Sequence, residues 1–98
     1  MYLIRDVFRC HPGQAAELAR RFKLTLPSLE SDDGFRHCRV LLDVVADYWT
    51  VVLQAEVETL ADFERHLRGF SARPSVRAAL GDYMALVQSG HREIYRVV

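Results

Sequence analysis

The apolar periods along the chain predict an α+β fold of order β-α-β-β-α-α-β, with one four-stranded antiparallel sheet. Two observations carry most of that prediction. The stretch WTVVLQAEVE, residues 49–58, is rich in β-branched and bulky apolar side chains and has no Gly or Pro to interrupt it. Its rows separate at period two, with Trp49, Val51, Leu53, Ala55 and Val57 on one face and Thr50, Val52, Gln54 and Glu56 on the other. A strand with one apolar and one mixed face is expected at the centre of the sheet, under helices on one side and a partly polar surface on the other. The second observation is a switch of period, from two to 3.6, at Gln14 after the first strand and again behind Thr59.

The remaining elements follow in order. Residues 2–10, YLIRDVFRC, alternate as a first strand, with Tyr2, Ile4, Asp6 and Phe8 on one face and Leu3, Arg5, Val7 and Arg9 on the other. His11-Pro12-Gly13 breaks it, and Ala15, Leu18, Ala19 and Phe22 then recur at helical spacing. Pro27 is expected to end this helix, and SLESDDG, residues 28–34, reads as a loop with an Asp-Gly turn. Phe35 to Leu42 is the second strand, and the short link from Asp43 to Asp47 makes a hairpin with the third. Thr59 stands as an N-cap with Asp62 three residues on, ahead of a helix that buries Leu60, Phe63, Leu67 and Phe70. A third helix is expected from about Ser75, with Val76, Ala79, Leu80, Tyr83, Met84 and Val87 on one stripe and Gly90 just past its end. EIYRVV, residues 93–98, is the last strand. This order is the split βαβ arrangement of ferredoxin-like folds, with strands in the order 4-1-3-2 and the third strand central.

Composition narrows the function classes. At 98 residues the chain is sized for a single domain, 1–98. Thirteen basic and thirteen acidic side chains cancel, so no overall field favours nucleic acid or an anionic membrane. No apolar run approaches the length of a membrane span, and no leader pattern follows Met1. Two cysteines, Cys10 and Cys38, suit a reducing compartment, so a cytoplasmic location is expected. A Gly-rich phosphate loop, a nucleophile elbow and a basic stripe interleaved with aromatics are all missing, which disfavours nucleotide binding, serine hydrolysis and nucleic-acid binding.

Three features resemble the dimeric α+β barrel superfamily, which includes antibiotic-biosynthesis monooxygenases, stress-responsive barrel proteins and the NIPSNAP-like group. The first strand ends in Phe8-x-x-x-Pro12-Gly13. The third runs through Glu56-Val57-Glu58 into Thr59-Leu60-Ala61, and the chain closes on Ser89-Gly90-His91-Arg92-Glu93-Ile94-Tyr95. The ending is most similar to the NIPSNAP-like group. The resemblance implies a homodimer in which two sheets meet face to face, and a pocket in each subunit between the sheet and its own helices. On that reading Tyr2, Ile4, Phe8, Trp49, Val51, Leu53, Phe63 and Tyr83 line the pocket. Cys38, Val40 and Leu42 also turn to the helices, while Arg5, Arg9, His37, Arg39, Thr50, Val52, Gln54 and Glu56 face the partner. The last strand stays open, since Ile94 and Tyr95 are both plausible inward residues.

Asp6 is the sharpest candidate for chemistry, a carboxylate in the middle of an otherwise apolar row, where desolvation would favour a general base. The competing reading pairs it with an Arg in a structural role. His66 flanks the apolar stripe of its helix, three residues from Phe63 and four from Phe70, as an acid–base partner or simply a histidine at the edge of the core. A helix-borne His serves haem in the haem-degrading branch of the superfamily, but the rest of that pattern is not evident here, and no cofactor is expected. Cys10-His11 and His37-Cys38 read like a zinc set, yet the two strands run parallel with a third between them. At about 3.3 Å per residue the pairs fall nearly a strand length apart, so no metal is expected. Three functions remain: binding of a small apolar or aromatic molecule, a cofactor-independent monooxygenase or cyclase using Asp6, and a structural dimer with a packed interior. A cavity of several hundred cubic ångströms lined by Asp6 keeps the first two, and a closed interior leaves only the third.

Overall fold

A computed structural model describes residues 1–98. Its strands are β1 (Tyr2–Cys10), β2 (Arg36–Leu42), β3 (Thr50–Val57) and β4 (Val87–Arg96), and its helices are α1 (Ala15–Ser31), α2 (Leu60–Gly69) and α3 (Pro74–Leu80). The sheet order is β2-β3-β1-β4, with every neighbouring pair antiparallel. This is the ferredoxin-like α+β architecture, with β3 central as its composition implies. The molecule measures 35 × 34 × 18 Å, thin enough for only two layers, one of helices and one of sheet.

The helices cover a single face. Leu18 and Phe22 of α1 and Val76 and Leu80 of α3 pack on Cys10 and Val51, while Leu29 and Phe63 pack on Ile4, Ala55 and Val57. Ile4, Val51, Ala55 and Val57 belong to the row assigned to the helices by alternation. The hairpin loop before β3 is held by Asp43, whose carboxylate accepts the N–H groups of Val45, Ala46 and Asp47 at 2.9, 3.0 and 3.2 Å. Thr59 caps α2 by accepting the Asp62 N–H at 3.1 Å.

Four local expectations are corrected. Helix α1 runs through Pro27 to Ser31 instead of stopping at the proline. The ring lies on the exposed side, Ser31 Oγ bonds the Pro27 carbonyl at 2.7 Å, and burial of Ser28 and Leu29 outweighs the one lost backbone bond. Helix α3 ends at Gly81, whose φ of +52° closes it, so Tyr83–Leu86 form a 3-10 turn and β4 begins at Val87. Gly90 is therefore a strand residue opposite Phe8, where a Cβ would lie 2.9 Å from the Val7 carbonyl oxygen.

The third correction concerns β2, where His37 has φ +52° and the register shifts between Arg36 and Arg39. This bulge adds one residue, so Phe35 turns into the core and Arg36 turns outward to Glu58 at 2.8 Å, against simple alternation. Beyond the bulge Cys38 and Val40 face the helices and Arg39 lies opposite Gln54, as alternation requires. The fourth is Trp49, which sits in the turn before β3 and is 43% exposed rather than lining the helix-covered face.

The open question about β4 is settled by its register. Tyr95 lies opposite Leu3 on the outer face and Ile94 opposite Ile4 on the helix face.

Candidate functional site: a pocket between sheet and helices

A cavity of about 170 Å³ lies between the helix face of the sheet and the segment from α2 to the 3-10 turn. Phe8 and Leu53 form its floor, Phe22 and Leu80 one wall, and Phe70, Leu67 and Tyr83 the rest of the apolar lining. Three of these rings make a cluster, with Phe8–Phe22 centroids 4.9 Å apart, Phe22–Tyr83 5.9 Å and Phe8–Tyr83 6.5 Å. Of the expected lining residues, Phe8, Leu53 and Tyr83 reach this cavity. Tyr2, Ile4, Val51 and Phe63 belong to the packed core around it, and Trp49 lines a separate cleft with Arg9, Pro12 and Tyr48.

Asp6 lines the cavity and is also paired. It lies opposite Arg92 on β4, whose Nε donates to Oδ1 at 2.5 Å and whose Nη2 donates to Oδ2 at 3.3 Å. The Arg92 guanidinium in turn lies over the Phe63 ring, 5.0 Å from its centroid. An Asp whose two oxygens are occupied by one guanidinium is a structural ion pair first.

His66 is more tightly built in. It is buried, with ring centroids 4.7 Å from Phe70, 4.8 Å from Phe35 and 5.9 Å from Phe63, and it also lines the cavity. Its Nδ1 lies 2.7 Å from Asp33 Oδ2. The Asp33 side chain is only 4% exposed and receives Arg73 on both oxygens, with Nη1 3.0 Å from Oδ2 and Nη2 on Oδ1. Burial pushes the Asp33 carboxyl up, but the hydrogen bonds from Arg73 and His66 outweigh it and hold the group below its ordinary range. Ser28 steadies Arg73 by accepting its Nη1 at 3.0 Å.

Asp33 and Arg73 escape sequence reasoning because 40 residues separate them. Asp33 reads as a turn residue and Arg73 as the residue before a proline. The one available signal was the Asp33-Gly34 turn at the end of α1, which does not name a partner.

The outer face carries a shallower groove of about 370 Å³, lined by Arg5, Val7, Leu41, Thr50, Val52, His91 and Glu93 among others. Arg5 Nη1 donates to Glu93 at 3.0 Å, and Glu93 also meets His91 Nε2 at 3.0 Å and the Tyr95 hydroxyl at 3.2 Å. The His91 bond, with Tyr95 and the nearby Arg5, outweighs desolvation and lowers the Glu93 carboxyl. His37 pairs with Glu56 on the same face. Arg5 Nε and Thr50 Oγ1 are buried there without any hydrogen-bond partner. No group of three or more His, Cys, Asp or Glu side chains is arranged to hold a metal ion.

The class these elements define is the ferredoxin-like α+β fold. No family model and no curated relative matches the sequence. Among solved structures, a NIPSNAP-like domain protein from Burkholderia xenovorans superposes with a TM-score of 0.80 at 16% identity, covering 99% of this chain and 84% of that one. A NIPSNAP family protein from Agrobacterium tumefaciens gives 0.79 at 10% identity, covering 99% and 92%. A candidate antibiotic biosynthesis monooxygenase from Deinococcus radiodurans gives 0.75 at 17% identity, covering 100% and 93%. At these identities the likeness is one of fold, and the chemistry has to come from the site.

Proposed function

We propose that the protein binds a small, single-ring aromatic molecule between its sheet and helices, and that it works as a homodimer through the outer face of the sheet. The cavity carries the first half of this reading. Its volume of about 170 Å³ is close to the ~150 Å³ of an apolar cavity that takes up benzene, which suits a single ring. Aromatic walls with a few convergent polar groups, here His66 and the Asp6–Arg92 pair, are what an oriented small-molecule site needs.

A fully packed structural dimer fits less well with such a cavity. The reading of Asp6 as the acid–base group of a monooxygenase or cyclase is weakened by its engagement with Arg92. The unpaired Arg5 Nε and Thr50 Oγ1, with Val52 beside them, support the dimer. A buried donor or acceptor left unpaired costs about 1–3 kcal/mol, which pairing relieves where these side chains turn toward the facing sheet. Unpaired Cys10 and Cys38 support a cytoplasmic location.

The test is calorimetric titration with toluene and para-cresol against naphthalene. Saturable binding of the single rings is expected, and it should be lost when Leu67, 47% exposed on the cavity wall, is replaced as Leu67→Trp. Failure of every single ring to bind would end this reading.

A further inference from the structure

We infer that the hairpin tip between β2 and β3, which carries Val44, Val45, Tyr48 and Trp49, is a clasp that closes on a second copy of the chain. The inference rests on the reading of the outer sheet face as a homodimer surface and names the segment that supplies its apolar contact.

The tip does not have the usual polar character of a loop. Val44 and Val45 are 80% and 81% exposed and Tyr48 70%, with Trp49 half-exposed beside them. Elsewhere, exposed apolar side chains such as Leu24, Leu60 and Met84 stand singly in the sequence, which is ordinary for a protein surface. A group of four on one short loop marks a contact surface.

The loop uses its polar groups internally. Asp43 takes three backbone N–H groups, and the Thr50 N–H donates to the Asp47 carbonyl at 3.0 Å. The Cys10 N–H ties the Trp49 carbonyl to the end of β1 at 2.7 Å, and Arg9 Nη2 donates to the Asp47 carboxylate at 3.3 Å. A tip fixed in this way presents its apolar side chains ready for contact, so docking costs little conformational entropy.

Two arguments select a second copy as the occupant. The first is area. A stable pair buries about 800 Å² per partner around a centre poor in charge. The sheet supplies little of that centre, because Thr50 and Val52 are already buried by their own chain and Arg5, Arg39, Glu56, His91 and Glu93 share the face. The four tip side chains expose on the order of 500 Å², more than half of the requirement. The second is continuity. Asp43, Asp47 and Thr50 at the base of the hairpin line the outer-face groove together with Arg5, Val52 and His91, so a body lying on that face also meets the hairpin.

The far end of the same face carries Leu3 opposite Tyr95, which is exposed. A two-fold pairing with the strands of the two sheets running opposite ways sets each tip over that end of the other copy and makes two equal clasps. A bilayer suits the tip less well. It would have to take in the Asp43 and Asp47 carboxylates, and the adjacent cation, Arg9, is already engaged with Asp47.

The chain holds a single tryptophan, Trp49, within the tip, so its fluorescence reads the docking directly. On dilution of the native protein through its dissociation, followed in parallel by light scattering, the Trp49 emission should move to longer wavelength with the same midpoint. Val45→Asp should weaken self-association roughly a hundredfold by placing a charge in the contact, and Val44→Ser roughly tenfold. Both should leave the circular dichroism of the dissociated chain unchanged, since the side chains are exposed. Self-association as tight in Val45→Asp as in the native protein, while Thr50→Val weakens it, overturns the clasp and leaves the sheet pairing standing. A chain that stays monomeric throughout the series removes both. A monomer whose Trp49 emission moves to shorter wavelength on phosphatidylcholine vesicles overturns the inference in favour of a bilayer.

Discussion

On the helix-covered face of the sheet, the buried charges meet counter-charges within the chain. Asp33 takes Arg73 and His66, and Asp6 takes Arg92. On the outer face the chain leaves work undone. Both of the buried side-chain polar atoms without a partner, Arg5 Nε and Thr50 Oγ1, lie there. Tyr95, on the last strand, is exposed on that face as well. One face is self-sufficient and can keep a small cavity open inside a rigid frame. The other is the face through which we propose that the chain pairs with a second copy.

The largest expected effect breaks the self-sufficient side. Arg73→Met strands the Asp33 carboxylate in its buried position and should cost about 3–5 kcal/mol in denaturant unfolding, with a loss of under 1 kcal/mol counting against the closed network. The same pair predicts a pH dependence. The folded-state pKa of Asp33 lies below its unfolded value of about 3.9. Its contribution is therefore complete above that value and lost as pH falls through the folded pKa. Acid titrations of native and Asp33→Asn proteins should diverge in their stability at neutral pH and converge at the acid end.

Next in size is the packing on that face. Ile4→Ala should cost about 2–5 kcal/mol, while Leu3→Ala, its outward neighbour, should leave the unfolding of the isolated chain nearly unchanged. An equal cost at the two positions would remove the distinction between the faces.

A smaller effect sharpens the outer face. If a partner sheet satisfies the Thr50 hydroxyl, Thr50→Val should weaken self-association by about 1–3 kcal/mol in light scattering across a dilution series. A native protein that is monomeric at micromolar concentration would refute the dimer, and Gln54→Leu should perturb association in the same assay. The smallest effect concerns Cys38, partly buried on the helix side, where desolvation first and then Glu30 and Asp33 raise the thiol to about 11. Alkylation at neutral pH should be much slower than for a free thiol and should accelerate steeply as pH climbs toward that value.

The sheet was legible in the letters because alternation is a local signal. Trp49 apart, the rows of β1 and β3 fall on the faces their side chains announce. The helix–strand boundary before β4 was not, because Tyr83, Met84 and Val87 continue the helical spacing of Val76 and Leu80 past the point where Gly81 stops the helix. Two glycines stood in reach of that boundary, and only backbone geometry tells the left-handed Gly81 from the strand residue Gly90. The His37 bulge has no composition signal either, and it reversed Phe35 and Arg36.

At the site, Asp6 and His66 stood out by type and position, but their partners did not. Arg92 meets Asp6 across 86 residues and Asp33 meets His66 across 33, contacts that exist only once the sheet and helices have closed.

The bulge on β2 has a bearing on polymerisation. A sheet edge offers a row of free N–H and C=O groups on which another chain can build, and a fibre of such sheets needs two usable edges per molecule. In the order β2-β3-β1-β4 one edge is β2, where the kink at His37 and the charged Arg36 and Arg39 spoil the regular row. Edge-on addition through β4 alone can join two molecules but cannot propagate. The bent strand thus guards against fibre growth along that edge.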